Sequence, residues 1–364
     1  MTSNITELLT KLDHDVSQVL EEITIPFSTA DDFLAATMSP LGQYYSLLSN
    51  YIFRGHSKQS YTLIPSILRD YDREVRKSGL KTKSSLMAET PQLRGFERIQ
   101  KELNLLKEFY TRANNNGLKL PKVSSFFDDY STPESLYDML QKNGNCWPLK
   151  DLVELAGLAQ HYEIPTRLLD WSTDFYVACY FACVKTFDRL LNKNNTKDFH
   201  FEKEISEPMA IFALDIETLK HMYRGRKGNL RFIRPSYADN PNLNAQKGLF
   251  TYWELEPEFD PLPLNNRKQY PRWWGWIETD IVPLEVLIVG YQPGYQPQAI
   301  SKKMMYKFVV PSSQCISLYD HLRRLGYGKA RLFPGYAGVK SEIDEDRDAE
   351  KVKELIASHV VSQK

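Results

Sequence analysis

LAQHYEIPTRLLDWSTDFYVACYFACVKTF, residues 158–187, is the stretch on which the reading of this chain turns. Its start continues a helical pattern over about 150–163, in which Leu152, Leu155, Leu158, Ala159 and Tyr162 recur at three- to four-residue steps. Pro165 stops that helix, because the residue before a proline avoids helical backbone geometry. Residues 166–172 read as a short turn. A second helix runs from about Thr173 to Leu191, apolar on most sides through Phe175, Val177, Ala178, Phe181, Ala182, Val184 and Phe187. A helix without a polar face belongs at the centre of a fold. The turn between the two helices is the anomaly. Where burial is expected it carries Thr166, Arg167 and Asp170, with His161 just ahead.

Upstream, Ile5, Leu8, Leu9, Leu12 and Val16 give 1–27 the look of a helical packing arm. Ser28 and Thr29 stand before Ala30–Leu34 as a capped helix start. Tyr51–Phe53 reads as a strand that ends in Arg54-Gly55-His56. Residues 70–90 are polar and locally basic, a surface loop. Thr90 and Pro91 open a long helix with a stripe of Leu93, Phe96, Ile99, Leu103, Leu106 and Tyr110, closed at Gly117. Downstream of 191 a polar, Asn-rich loop covers 192–200. Short apolar strands follow at Met209–Leu214, Leu230–Ile233, Leu249–Leu255, Val286–Val289 and Met304–Val310. A helix spans about Ser313–Leu325, and 341–364 reads as a charged terminal helix. Helices first and strands later predict an α+β fold, with a helical N-terminal half packed on a mixed or antiparallel sheet formed mainly by the C-terminal half. The main unit is expected over 28–340.

Composition narrows the function classes. The 364 residues hold 42% hydrophobic and 25% charged positions, ordinary globular values. Lys and Arg number 46 and Asp and Glu 46, so a uniformly basic nucleic-acid coat is disfavoured. No stretch approaches the length of a membrane span, and the start lacks a basic segment followed by an apolar one, so a cytoplasmic protein is expected. Four cysteines, with Cys179 and Cys183 inside the apolar helix, read as reduced core thiols and no metal site. Gly-rich nucleotide loops of the Rossmann and P-loop types are absent. Arg272-Trp273-Trp274-Gly275-Trp276 could be core, or could stack a base or anchor a partner.

Three segments put polar residues where the pattern expects burial. They are Phe53-Arg54-Gly55, the His161–Asp170 turn, and Asn242–Tyr252 with Gln246 and Gly248 entering an aromatic strand. Arginine on an apolar strand needs a partner or a ligand, and the glycine beside it allows close approach. These segments resemble the FRG domain family, named for the Phe-Arg-Gly at 53–55. The likeness runs through 51–69, is strongest over 158–182, and returns at 245–250 and at Leu332-Phe333-Pro334-Gly335. His56 departs from the family, which more often has Gln there.

The resemblance implies a bacterial or phage-type protein of undefined reaction. Two functional readings stay open. In the first, the layout is similar to that of ADP-ribosyltransferases acting on a macromolecule, protein or nucleic acid, with NAD as substrate. Arg54 would then hold the NAD phosphates, Gln246 or Glu254 would sit near the ribose, and His161 and Asp170 would act as acid, base or orienting groups. Gly55, His56, Thr166 and Arg167 would line the substrate. In the second reading the same residues bind a nucleotide or a protein without catalysis, as a sensor or effector module in a conflict system. A plainer alternative is an ion-pair network of Arg54, Arg167 and Asp170 that fixes the core. Both functional readings expect Arg54, His161, Arg167, Asp170 and Gln246 to converge in one cleft.

Overall fold

The computed structural model describes residues 20, 21, 23–69, 91–144, 146–193, 195, 197–223, 230–235, 240–255, 283–285, 288 and 304–362. Their strands are β1 (Thr24–Pro26), β2 (Tyr51–His56), β3 (Leu169–Ser172), β4 (Met209–Asp215), β5 (Leu230–Ile233), β6 (Gly248–Trp253) and β7 (Met305–Val310). The helices are α1 (Ala30–Met38), α2 (Pro91–Asn115), α3 (Pro133–Lys142), α4 (Val153–His161), α5 (Phe175–Leu190) and α6 (Phe201–Ser206). They continue with α7 (Ile216–Tyr223), α8 (Pro241–Ala245), α9 (Cys315–Arg324), α10 (Lys329–Leu332) and α11 (Tyr336–Ser362).

The strands form one seven-stranded mixed sheet in the order β1-β7-β4-β2-β3-β6-β5. Only the β1–β7 pair is parallel. Alternation along β2 explains the two layers around it. Ile52 shares a core with Phe212 of β4 and with Leu103, Leu106 and Leu155 of α2 and α4. Phe53 shares the opposite core with Ile211, with Val177 and Ala178 of α5, and with Leu318 of α9. The sheet is thus covered by helices on both faces. As expected of a helix apolar all round, α5 lies between the sheet and the helices α9 and α11. Its fully buried Tyr180 donates to Glu345 of α11 at 2.6 Å, and Tyr319 of α9 donates to the same carboxylate at 2.9 Å.

The α+β class holds, but its division into a helical half and a sheet half does not. β2 and β3 occupy inner positions of the sheet, and both come from the first half of the chain. The turn expected over 166–172 continues into β3, whose pairing with β6 runs from Leu169↔Thr251 to Ser172↔Gly248. Four residues with an aspartate among them show too little alternation to read as a strand. As expected, β2 ends in Arg54, Gly55 and His56, and it is paired with β4 along its whole length. Of the strand expected over 286–289 only Ile288 is described, and it is helical. Of the N-terminal arm, the described Leu20, Glu21 and Ile23 are helical, and Thr24–Pro26 then joins the sheet as edge strand β1. Residues 1–19, the 70–90 loop and the Trp273–Trp276 cluster lie outside the described residues.

Other expectations were accurate. Thr29 caps α1, accepting from the Asp32 amide at 3.0 Å. α2 opens at Pro91, buries Ile99, Leu103 and Leu106, and the chain turns at Gly117 with φ +67°. Among the described residues, no helix is long and apolar enough to cross a membrane.

Candidate functional site

Gly55 is held by packing. A Cβ there would fall inside the carbonyl oxygen of Ala178 and close to the amide of Ala182, so α5 can lie on β2 only because residue 55 has no side chain. The close approach foreseen at this glycine is therefore made by a helix of the same chain.

Arg54 completes the sheet where two strands part. β2 and β3 share one register pair, Phe53 with Ser172. Beyond it the Arg54 side chain takes over: Nη1 donates to the Asp170 main-chain carbonyl at 2.7 Å and to Asp170 Oδ2 at 3.3 Å. Nε donates to His56 Nε2 at 2.9 Å. An imidazole nitrogen that accepts is unprotonated, so the His56 proton belongs on Nδ1, which faces the Tyr61 carbonyl at 3.4 Å. Burial first, and the Arg54 charge second, push the His56 pKa well below its ordinary 6.5. His56 is thus a neutral acceptor buried beneath the arginine.

Asp170 faces outward. Its side chain is 58% exposed, against 13% for Arg54, so solvent and any ligand meet the carboxylate before the guanidinium. Its other oxygen, Oδ1, accepts from Gln160 Nε2 at 2.6 Å. Gln160 sits in the last turn of α4, and its Oε1 accepts from the Thr166 hydroxyl. The Thr166 hydroxyl in turn accepts from the Leu168 amide at 3.2 Å, and the Thr166 amide donates to Ser66 Oγ at 3.3 Å. Glu163, at φ +64°, reverses the chain between α4 and this loop. The result is one hydrogen-bonded line: His56, Arg54, Asp170, Gln160, Thr166, Ser66.

His161 stands beside this line. It is half-buried, its ring packs edge-on against Tyr162 at 5.1 Å, and Asn242 Nδ2 lies 3.4 Å from its Nε2. Burial lowers its pKa, and the nearby Asp170 charge opposes that shift.

The remaining residues expected in the cleft have other partners. Arg167 is a core ion pair: its Nε donates to Glu102 Oε2 at 2.6 Å, with side chains only 2% and 1% exposed. Trp147 donates to the same carboxylate at 3.2 Å, and its ring lies under the guanidinium. Gln246 lies at the end of α8, where its amide donates to the Leu332 carbonyl at 3.1 Å and its own carbonyl accepts from Ser172. Glu254 forms a close two-pronged ion pair with Arg231. Neither Gln246 nor Glu254 hydrogen-bonds to Arg54, Asp170 or His161 in the described structure.

Two residues escaped the sequence reading. Gln160 adjoins His161, and its role shows only in the fold, where it bridges Asp170 and Thr166. Glu102 had a readable signal: it follows Ile99 by three positions on the buried stripe of α2, where an acid must have a partner.

The model of the FRG domain family matches residues 49–189. No curated protein and no solved structure matches the chain.

Proposed function

We propose that this chain, which carries an FRG domain, is a nucleotide-binding module that grips the ribose hydroxyls of its ligand through Asp170. The observation that carries this reading is the condition of the Asp170 carboxylate. It is open to solvent, yet Arg54 and Gln160 hold its two oxygens from behind. A carboxylate fixed in this way has lone pairs left for two neighbouring hydroxyls, and its orientation costs little on binding because it exists beforehand. Acidic side chains recognise nucleotide ribose by the same chemistry in dinucleotide-binding folds. The half-buried His161, whose depressed pKa keeps it neutral, adds a polar group beside the carboxylate. Arg54 is then a positioning residue. NAD and ADP-ribose are the first ligands to test.

ADP-ribosyl transfer is the second reading, and the strand arginine with a neutral histidine nearby is what favours it. It also needs an acid or amide at the nicotinamide ribose. The two foreseen for that place, Gln246 and Glu254, are engaged by Leu332 and Arg231, so the balance tilts toward binding.

Calorimetry with NAD and ADP-ribose on wild type and Asp170→Asn tests the proposal. The expected result is binding by wild type and a loss of about tenfold or more in Asp170→Asn, since hydrogen bonds to a charged group contribute roughly 1.5–3 kcal/mol. The variant should melt near wild type, because its carboxylate is exposed. Failure of wild type to bind either ligand at millimolar concentration would end the nucleotide reading. Consumption of etheno-NAD in the presence of cell extract would restore the transferase reading.

A further inference from the structure

Contacts leave the buried His56 in two directions. On one side its Nε2 accepts from Arg54, which donates to Asp170. On the other its Nδ1 faces the Tyr61 carbonyl at 3.4 Å, and its ring meets the Tyr61 ring at 6.2 Å with 70° between the planes. Tyr61 and Asp170 therefore end one short run of direct contacts, with only an imidazole and a guanidinium between them. The two ends are open and the middle is closed: Tyr61 is 49% exposed, His56 only 8%.

A single exposed tyrosine is ordinary on a protein surface. This one stands on a loop tied at almost every residue. The Gln59 amide donates to the Pro208 carbonyl at 2.7 Å, and the Ser60 amide to Glu207 Oε1 at 2.9 Å. The Tyr61 amide donates to the Lys58 carbonyl at 3.2 Å. The Leu63 amide reaches both oxygens of the buried Glu285, at 3.0 and 3.2 Å. The Lys58 ammonium, held by Glu204, lies over the Tyr61 ring at 6.0 Å. The backbone is thus fixed on both sides of an aromatic ring that keeps half of its surface in solvent. Such a ring offers flat apolar area that need not be ordered when a ligand arrives, so little entropy is lost. Tyr162 makes the contrast. It is 64% exposed, but its ring contacts are Phe109 and His161. It follows Gln160 by two residues, a little over half a helical turn, and so leaves α4 on the side away from the amide that holds Asp170.

We infer that Tyr61 is the platform on which the base of the ligand stacks, so that the site takes a nucleotide and not a sugar phosphate alone. The inference depends on Asp170 being the ribose group. With the ribose hydroxyls on that carboxylate, the attached base crosses the closed Arg54–His56 pair and meets the Tyr61 ring. Stacking of this kind favours bases as a class, because every base has a π-face.

Ribose 5-phosphate and AMP, which differ by the base, separate the two subsites. Calorimetry on the full chain uses wild type, Tyr61→Leu, Tyr61→Phe, Tyr162→Leu and Asp170→Asn, with thermal melting to verify folding. All keep the Tyr61 main-chain carbonyl that faces His56. In wild type AMP is expected to bind about five- to a hundredfold tighter than ribose 5-phosphate, the worth of one stacked base. Tyr61→Leu should lose most of that gain, with ribose 5-phosphate affinity within about twofold of wild type. Tyr61→Phe and Tyr162→Leu should keep the gain. Asp170→Asn should weaken both ligands alike. If AMP binds wild type no tighter than ribose 5-phosphate, or if Tyr61→Leu keeps the gain, the platform falls and the Asp170 reading stands. The inference is equally overturned if Tyr162→Leu loses the gain, or if Tyr61→Leu weakens ribose 5-phosphate as much as AMP. If Asp170→Asn binds both ligands like wild type while Tyr61→Leu loses the gain, the ribose reading falls and the platform stands. If wild type binds neither ligand, both fall together.

Discussion

His56 and Arg54 form a buried donor–acceptor pair, and a neutral imidazole is what makes the pair affordable at the base of the site. Protonation would put two cations 2.9 Å apart. In the unfolded chain an imidazole takes up its proton as pH falls through about 6.5. In the fold, burial and Arg54 keep His56 neutral well below that point. Between the two values the unfolded state binds the extra proton, so stability is complete above about pH 6.5 and falls as the solution is acidified. His161, also lowered by burial, contributes with the same sign. For one group the limiting slope is about a tenfold change in the folding constant per pH unit. His56→Gln offers an oxygen to Arg54 and an amide to the Tyr61 carbonyl, and it does not titrate. Urea unfolding across pH 5–7.5 should therefore give a flatter profile for His56→Gln than for wild type. Identical profiles would mean that the folded protein carries the proton on His56. The residue types that could be read from sequence were those out of place in apolar surroundings, Arg54 and Asp170. Their partners were less legible: Gln160 acquires meaning only through Asp170, 10 positions away, and His56 only through the Arg54 guanidinium that it accepts from.

At the level of elements, the motif Phe-Arg-Gly is a division of labour between the two faces of β2. Phe53 and Gly55 face α5, while Arg54 belongs to the face that carries Ile52 and Phe212. The glycine was legible as a place of close approach, but the approaching group was not, since the helix that meets it lies over 120 positions downstream. α5 itself was legible because sixteen residues without a polar face leave little choice. β3 was not, because four residues cannot display a period, and its partners on β6 lie 76 to 82 positions on. This contact sets an expectation for substitution. In Gly55→Ala the new methyl meets backbone, which cannot rotate away, so β2 and α5 must separate. Overpacking of this kind typically costs 1–3 kcal/mol and more where backbone must shift. The same separation would carry Arg54 away from Asp170. Denaturant titration should thus place Gly55→Ala at least about 2 kcal/mol below wild type, with ligand binding weakened as well. A variant as stable as wild type would show that the helix has room to give.

Across the whole molecule, the stretch that matches the domain family is smaller than the structure that supports it. Residues 49–189 contain β2 and β3 but none of the other strands. β2 is bonded along all six of its residues to β4, and β3 along all four to β6; between themselves the two share one register pair. Cutting the chain at 189 would leave two inner strands as bare edges with a single contact between them, a state prone to pairing with other copies. The cores would open too. Leu318 and Phe308 pack with α5, and Tyr180 of that helix would lose Glu345. The order of the sheet explains why this was hidden in the sequence. β2 and β3 find β4 and β6 across long intervals of sequence, so nothing local marks 189 as the middle of a folding unit. A fragment spanning 49–189, produced alone, is therefore expected to lack a cooperative unfolding transition and to be cleaved rapidly by protease, whereas the full chain unfolds cooperatively. A fragment that melts as one unit and binds the same nucleotides would show that the matched segment is self-sufficient, and that β4 and β6 only decorate it.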